Sequence, residues 1–224
     1  MTANADSLHA SASLAQDTSD AQGKALDAGA RKRPKPGERR VQILQALASM
    51  LEQPGAERVT TAALAARLEV SEAALYRHFA SKAQMFEGLI DFIEQSVFSL
   101  VNQLGDRESD ALARCRKLVT LLLQFGERNP GMTRVMVGDA LVFENERLQQ
   151  RMNLFFDKIE SSLRQDLRDA AAQAGSATPS VDAQASASVV SAFCVGRLQR
   201  YARSGFKRLP SESLELSLAI LLPA

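Results

Sequence analysis

The stretch from Thr60 to Phe86 constrains the fold of this chain more than any other part of its sequence. Its pattern predicts two short helices joined by a tight turn, followed by the start of a third helix. The first helix is expected at Thr61–Leu68 and the turn at Glu69–Val70. Ser71 is expected to cap the second helix, because a serine hydroxyl accepts a hydrogen bond from a free N–H of the first turn. In a helix-turn-helix the second helix enters the DNA major groove, so the stretch predicts a DNA-binding protein.

The polar and helix-start residues left over from packing between these helices are the candidate DNA contacts. Thr61 and Ser71 have an alternative role as helix caps. Tyr76 and His78, expected on the second helix with Arg77, have an alternative role as residues packed at the edge of the unit. With Lys82 at the start of the next helix, Tyr76 and His78 form a cluster of hydrogen-bond donors on one side of the motif, as contacts with the DNA backbone require. The predicted DNA-binding residues are Arg39, Arg40, Thr60, Thr61, Ser71, Glu72, Ala73, Tyr76, Arg77, His78 and Lys82.

The charge of the chain is concentrated around this motif, although the net charge is only +1. Residues 1–30 have a net charge of −3, whereas residues 31–90 carry ten Lys/Arg against six Asp/Glu, a net charge of +4. The basic run 31–40 is expected to be extended because it contains two prolines. It is either a solvated tail or an arm that contacts phosphates or the minor groove. The local positive charge favours a polyanionic partner.

Composition divides the chain into three parts. Residues 1–34 are an acidic, Ala/Ser-rich tail that ends in the basic arm, and they are expected to be disordered because they carry too little apolar surface to fold. Residues 35–84 are expected to form the helix-turn-helix DNA-binding domain. Residues 85–224 are expected to form a helical domain for dimerisation and partner binding. No segment has the alternation of a strand, so the predicted fold class is all-α.

The C-terminal part contains several amphipathic helical patterns. A long helix is expected from Ser81 to a break at Gly105–Asp106. Phe92 lies at the edge of its apolar face and Phe98 lies outside it, which indicates a second packing partner or an exposed apolar patch. Two further long helices are expected at 144–172 and 181–204. The last helix is expected from about Ser211 to Leu222.

The order of residues in TTAALAARLEVSEAALYRHFASKAQMF resembles the TetR family of DNA-binding regulators. The pattern Leu75-Tyr76-x-His78-Phe79-x-x-Lys82 is a specific part of that resemblance. The segments GLIDFIEQS and FGERNPGMTRVMVGDALVFENERLQ (125–149) resemble a narrower branch of the family, the nucleoid occlusion factors. One departure is Glu69, which occupies the turn position where the family usually has glycine. A non-glycine residue in the left-handed conformation costs on the order of 1 kcal/mol, so a slightly different turn is expected here.

The resemblance implies a TetR-like homodimer that binds palindromic DNA, with single dimers and higher-order assemblies both open. The helices at 144–172 and 181–204 would form a four-helix bundle with those of the second copy. Independently of the resemblance, the apolar stripe of the first helix and the small residues of the second favour such a contact. The predicted interface residues are Met152, Phe155, Ile159, Val189 and Phe193.

The resemblance also implies a protein partner. When bound to DNA, the protein is expected to bind the C-terminal tail of the division protein FtsZ and to block septum assembly over the chromosome. The positions that match the tail-binding groove of the family are Phe92, Leu121, Arg128 and Asn129. Arg128 would supply a positive charge for an acidic tail. The alternative is structural, with a helix cap near Arg128 and a residue at the boundary of the core at Phe92.

Other functional classes have little support in the sequence. No Cys/His, Ser/His/Asp or glycine-rich phosphate-loop arrangement is present, which predicts a protein without catalytic residues, cofactor or metal. Cys115 and Cys194 lie far apart in apolar helical patterns and are expected to be reduced core thiols. No apolar run reaches the roughly 20 residues of a membrane span, and no signal peptide is recognisable. The expected location is cytoplasmic and nucleoid-associated.

A second function stays open at this point, that of a TetR-type repressor whose C-terminal domain binds a small ligand and then releases DNA. A ligand pocket needs apolar walls with a few polar groups that point inward. The segment Leu118–Phe125 is densely apolar with little converging polarity, which disfavours such a pocket.

Overall fold

Side-chain caps begin the helices in and after the predicted DNA-binding stretch. The computed structural model describes residues 37–53 and 59–222. Thr60, Ser71 and Ser81 each accept a hydrogen bond from the backbone N–H three residues later, at O···N distances of 3.1, 3.3 and 3.2 Å. These bonds satisfy donors that a helix start otherwise leaves free. The prediction that Ser71 starts a helix is confirmed, and of the two residues expected to cap the preceding helix, Thr60 and Thr61, the cap is Thr60.

The secondary structure of the described residues is entirely helical, as predicted. The helices are α1 (Glu38–Leu51), α2 (Thr61–Arg67), α3 (Glu72–Tyr76), α4 (Lys82–Arg107), α5 (Ala111–Arg128), α6 (Pro130–Met136), α7 (Glu146–Gln173), α8 (Pro179–Arg203) and α9 (Leu214–Leu221). A short 3₁₀ helix, Asp139–Leu141, lies between α6 and α7. The N-terminal tail and residues 31–36 of the basic arm lie outside the described residues.

The turn between α2 and α3 contains a non-glycine residue in the left-handed region. Glu69 has a φ of 54°, the conformation for which glycine is usually preferred. The backbone N–H groups of Glu69 and Val70 donate to the carbonyl oxygens of Ala66 and Ala65 at 3.1 and 3.0 Å. These bonds close the end of α2, and Leu64 is buried beneath the turn region. Glu69 therefore adopts the left-handed conformation itself, at a strain on the order of 1 kcal/mol.

One continuous core joins α1–α4 to the larger C-terminal bundle. Helix α1 packs against α2, α4 and α6, while α7 and α8 form the most extensive helix pair. Gly131 at the start of α6 lies directly against α1, where a Cβ would overlap the carbonyl oxygen of Ala48. Glycine is therefore needed at this crossing, and α4 and α6 both fix the position of the first three helices.

Four predicted helix boundaries are wrong. Helix α4 continues through Gly105 to Arg107, because its packed face holds it together against the modest helix-breaking tendency of one glycine. The next helix begins only after Asp110, whose carboxylate accepts from the N–H groups of Leu112 and Ala113 at 2.8 and 3.0 Å. Helix α3 ends at Tyr76 and does not extend to His78. The last helix begins at Leu214, not near residue 211.

Candidate nucleic-acid interface and neighbouring surfaces

Helix α3 presents one exposed polar face next to a buried apolar one. Leu75 and Phe79 are buried beneath it, and Ser71, Tyr76 and Arg77 are exposed. Ala73 and His78 are exposed as well, although His78 lies in the turn after the helix. Thr60 is also exposed, and Thr61 is partly buried. The structure thus brings the predicted DNA-binding residues of α2 and α3 together on the accessible side of the unit.

A hydrogen bond between side chains fixes α2 relative to α3. The Thr61 hydroxyl donates to Oε2 of Glu72 at 2.5 Å. Both residues are predicted DNA contacts, and here each is engaged with the other. The bond occupies one carboxylate oxygen of Glu72 and leaves Oε1 as an acceptor. Thr61 therefore acts as a positioning residue for the first turn of α3, not as its own helix's cap.

The two arginines at the start of α1 contact the protein itself. Arg39 donates from Nη1 to Oε1 of Gln42 at 2.8 Å. Arg40 donates from Nη1 to the carbonyl oxygen of His78, and its guanidinium lies 4.1 Å from the centre of the Phe79 ring. A guanidinium over an aromatic face is attracted by the ring quadrupole. Arg40 therefore joins the start of α1 to the segment that follows α3, a contact that the sequence did not predict.

Lys82, the predicted phosphate contact at the start of α4, forms an ion pair. Its ammonium group pairs with the carboxylate of Glu144 and lies 5.7 Å from the centre of the Phe86 ring. The side chains are only 26% and 10% exposed, so solvent screens the pair less than a surface ion pair. Glu144 was missed by the sequence analysis. No local spacing indicates it, because 62 residues separate the two positions.

Three more ion-pair contacts, made by two arginines of α7, extend along the same side of α4. Arg147 on α7 pairs with Glu87. Arg151, one turn further along α7, donates to Asp91 and Glu94, each at 2.6 Å. The pKa of Arg151 is raised, mainly because its guanidinium donates a hydrogen bond to Glu94. The N-terminal halves of α4 and α7 are thus joined by a row of charged contacts that begins next to the predicted DNA-binding residues.

The four positions predicted for the FtsZ tail lie on α4 and α5, which pack against each other. Phe92 and Leu121 are partly buried against the common core. Arg128 is exposed at the last position of α5. The Asn129 side chain donates from Nδ2 to the carbonyl oxygen of Phe125 at 2.8 Å, so its amide holds the end of α5. The structure gives Asn129 a structural role and leaves Arg128 accessible.

The predicted dimer-interface residues fall into two groups. Met152, Phe155 and Ile159 are 0% exposed within a single chain, so their prediction as interface contacts is wrong. Phe155 instead forms an edge-to-face contact with Phe98 of α4, with ring centres 5.4 Å apart. This contact explains the off-face position of Phe98. Val189 is 56% exposed and Phe193 is partly buried on α8, so both stay accessible to a second copy.

A cleft of about 990 Å³ lies between α4, α5 and α7. Phe98, Val101 and Leu118 provide apolar lining, while Lys158 and Arg164 bring positive charge. Arg114, also at the cleft, donates from Nε to Asp166 at 2.7 Å and from Nη1 to two backbone carbonyls of the preceding loop. The cleft is open and its lining is mixed in polarity, unlike that of an enclosed apolar pocket. It is nevertheless large enough for a small molecule.

Both cysteines are buried and unpaired, as predicted. Burial raises the pKa of each thiol, Cys115 and Cys194, to about 12. Within residues 37–53 and 59–222, no group of three or more His, Cys, Asp or Glu side chains is arranged to hold a metal ion. None of the helices in the same residues is long and apolar enough to cross a membrane.

Two protein-family descriptions match separate parts of the chain. The family described as bacterial regulatory proteins, tetR family, matches residues 43–89, which contain α2 and α3. The family described as tetracyclin repressor-like, C-terminal domain, of the SlmA-like type, matches residues 109–223. Over longer lengths, the chain is similar to nucleoid occlusion factors named SlmA. It is 53% identical to that of Vibrio cholerae over 184 residues, which are 82% of this chain and 93% of the relative. It is 51% identical to that of Idiomarina loihiensis over 174 residues, 78% of this chain and 88% of the relative.

Solved structures of more distant proteins share the fold. The fatty acid degradation regulator FadR of Bacillus halodurans has a TM-score of 0.67 at 15% identity, covering 85% of this chain and 98% of FadR. The regulator AibR, solved with isovaleryl coenzyme A and operator DNA, has a TM-score of 0.66 at 17% identity, covering 83% of this chain and 99% of AibR. At these identities the likeness shows the fold alone, that of TetR-type regulators.

Proposed function

The chain belongs to the TetR family and, within it, to the SlmA-type nucleoid occlusion factors, and from that membership we propose that it blocks cell division over the chromosome by binding FtsZ while bound to DNA. The observation that carries the proposal is the identity of about half of the residues to SlmA proteins over most of both chains. The chain is a DNA-binding homodimer of this family. The identity of the protein partner and the residues that contact it are the proposed part.

The DNA contacts are proposed for the exposed face of α3 and the residues around it. Ser71, Ala73, Tyr76 and Arg77 are accessible there. A two-fold dimer places two such faces on one DNA duplex, so palindromic sites are expected. Arg40 holds the segment after α3 through its bond to the His78 carbonyl. The bond between Thr61 and Glu72 fixes α2 relative to α3.

The FtsZ tail is proposed to bind along α4 and α5, beside Phe92, Leu121 and Arg128. Arg128 is exposed and carries the charge that attracts an acidic peptide, while the two partly buried apolar residues offer contact area. Asn129 contributes by ending α5 at the right place through its bond to Phe125. In the proposed domains, residues 35–84 bind DNA, and residues 85–224 bind FtsZ and the second copy of the chain. The boundary falls inside α4, so one helix belongs to both parts.

Co-sedimentation with polymerised FtsZ tests this proposal. The protein is mixed with FtsZ in the presence and absence of chromosomal DNA fragments, and the pelleted fraction is measured. Pelleting that increases with cognate DNA supports the proposal. FtsZ that lacks its C-terminal tail is the matched control and should pellet without the protein. Equal pelleting of the protein with both forms of FtsZ would reject the tail as the ligand.

A second candidate, a ligand-responsive repressor, is favoured by one observation, the cleft between α4, α5 and α7. If a small molecule occupied this cleft, it would contact α4, which also carries Lys82 next to the DNA-binding face. The co-sedimentation assay separates the two functions. A repressor of this type would bind its operator but would not pellet with FtsZ under any condition. We propose that the chain acts without catalytic residues or a cofactor in either case.

A further inference from the structure

Several helices of the C-terminal part carry exposed large apolar side chains. Among the described residues, ten large hydrophobic side chains are exposed, and six of them lie on α7, α8, α9 or the segment before α9. These six are Leu154, Val181, Val189, Leu209, Leu216 and Ile220. A monomeric soluble protein rarely leaves a contiguous apolar surface open, and such surfaces mark interaction sites. The predicted dimer contacts that stay accessible, Val189 and Phe193, lie on α8, and none of them lies on α9.

Helix α9 is apolar on both of its sides. Leu214 and Leu218 are buried against the protein, as an amphipathic helix requires. Leu216 and Ile220, one turn apart on the opposite side, are 71% and 80% exposed. An eight-residue helix that only covered the core would be expected to carry polar residues at these two positions. The outward side of α9 therefore has the composition of a buried surface.

The outward side of α9 continues from the exposed strip of α8. Arg197 of α8 donates from Nη2 to the hydroxyl of Ser217 at 3.0 Å, which fixes the two helices side by side. The guanidinium of Arg197 also lies 5.0 Å from the centre of the Phe193 ring, one turn earlier on α8. On a helical wheel, Ile220 lies on the same flank of α9 as Ser217. Phe193, Arg197, Ser217 and Ile220 thus follow one another across the surface.

The register of α7 and α8 places Leu154 of α7 beside the part of α8 that contacts α9. Arg164 of α7 donates from Nη1 to Oε1 of Gln184 at 2.9 Å, and the two helices are antiparallel because a short turn joins them. Leu154 is ten residues before Arg164, and Cys194 is ten residues after Gln184. Leu154 therefore lies at the height of Phe193 and Cys194, where α8 meets α9. The exposed Leu154 of α7 and the partly buried Phe193 of α8 thus occur near the level where Arg197 contacts α9.

We propose that the outward face of α9, formed by Leu216 and Ile220, is part of the homodimer interface and is covered by a second copy of this chain. The inference rests on the proposed contact of α8 with that copy through Val189 and Phe193, and it extends that contact to a further helix. The exposed side of α8 offers mainly small residues, with Val189 and Phe193 as its larger apolar contacts. A stable interface needs about 800 Å² from each partner, and α9 supplies the large aliphatic side chains that α8 lacks. Two-fold symmetry uses each of these contacts twice.

Sedimentation equilibrium of the full chain tests the inference. The double variant L216D/I220D is compared with V189D on α8, with V142D and with the unchanged protein. Val142 is 70% exposed in the segment before α7, so V142D is a matched control for a new charge on an exposed aliphatic residue. L216D/I220D is expected to raise the dimer Kd by on the order of a hundredfold or more, because each dimer loses four aliphatic contacts and buries four charges. V142D is expected to leave the dimer Kd unchanged.

Three other results would reject the inference. If V189D dissociates the dimer and L216D/I220D does not, the α8 contact holds but α9 faces something else, and the inference is rejected. If neither variant dissociates the dimer, both the α9 inference and the proposed α8 contact fail. Circular dichroism checks folding, and the milder L216S/I220S pair is measured if the charged pair is unfolded. A dimer Kd of L216S/I220S equal to that of the unchanged protein would also reject the inference.

Discussion

Lys82, the first residue of α4, is paired with Glu144, the residue before the cap of α7. The pair joins the end of the helix-turn-helix unit to the segment that begins the long C-terminal hairpin. Lys82 is also a predicted phosphate contact, so its ammonium group has two competing anionic partners, a carboxylate in the free protein and a phosphate on DNA. Because Glu144 is only 10% exposed, its carboxylate is left poorly solvated when Lys82 moves away. DNA binding and the packing of α4 on α7 are therefore expected to be linked.

Replacing Glu144 by Gln should tighten DNA binding by about two- to tenfold at low salt, because Lys82 no longer has to leave a carboxylate. K82Q should weaken binding and make the dependence on salt less steep. Fluorescence anisotropy with a labelled DNA duplex at several salt concentrations measures both effects. E146Q is the matched control, since Glu146 is exposed nearby on α7. Equal gains in affinity for E144Q and E146Q would indicate a general charge effect and contradict the linkage.

Replacing Tyr76 by Ala should weaken specific DNA binding by at least about tenfold and leave the free energy of unfolding nearly unchanged. Tyr76 is 44% exposed at the end of α3, so its truncation leaves no cavity in the core. T60A should differ, since Thr60 caps α2 and its loss costs about 1 kcal/mol of stability in addition to any DNA contact. Mobility-shift titrations and urea denaturation of both variants separate the two roles. Full DNA affinity in Y76A would remove Tyr76 from the interface.

The helices and the capped turn were predictable from local sequence, while the contacts between distant segments were not. Hydrophobic spacing predicts α1 correctly from Glu38 to Leu51, and Ser71 marks the start of α3, because both signals act within one or two turns. The break at Gly105 was predicted wrongly because packing of the rest of α4 outweighs one glycine. The Lys82–Glu144 pair has no local signal at all.

The wrongly predicted dimer contacts on α7 also depend on a contact between distant segments. The stripe of α7 that contains Met152 was recognised as apolar, but periodicity does not reveal which apolar surface covers it. The structure shows that α4 covers part of it through the Phe98–Phe155 contact. An apolar stripe on a helix therefore predicts burial, and the identity of the covering surface has to come from the three-dimensional arrangement.

The two buried thiols should make stability fall at alkaline pH. Cys115 and Cys194 have their pKa raised from 9.0 to about 12 by burial. Below pH 9 the thiols are protonated in both states, whereas between pH 9 and 12 only the unfolded chain loses their protons. The free energy of unfolding should therefore decrease across that window, by up to about 1.4 kcal/mol per pH unit for each thiol. Urea denaturation at pH 8, 9 and 10 measures the slope. The C115A/C194A variant should show a shallower slope, and an identical slope would contradict the assignment.

Adding a methyl group at two glycines should have opposite effects on stability. G131A should lower the free energy of unfolding by several kcal/mol, on the order of the largest single-residue effects, because the Cβ overlaps the backbone of α1 at Ala48. G105A should raise it by about 0.5–1 kcal/mol, because nothing lies within 4 Å of a Cβ there and alanine favours the helix. Thermal unfolding by circular dichroism measures both. A stable G131A would mean that α6 moves away from α1 at little cost.

Replacing Arg128 by Asp should abolish FtsZ binding and spare DNA binding. Arg128 is exposed at the end of α5, so the substitution removes a positive charge from the proposed groove without emptying the core. The arginine attracts an acidic tail, whereas an aspartate at this position would repel it. A loss of at least tenfold in affinity for the tail is therefore expected. Anisotropy with a labelled peptide of the FtsZ tail, in the presence of cognate DNA, measures it.

R107D is the matched control for R128D, because Arg107 is an exposed arginine at the end of α4, 15 residues from Phe92. That separation corresponds to about 22 Å along the helix, well beyond a short peptide contact at Phe92. R107D should bind the tail peptide as the unchanged protein does. If R107D and R128D lose the same affinity, the effect comes from net charge and not from the groove. If R128D keeps both DNA and peptide binding, the tail binds elsewhere on the molecule.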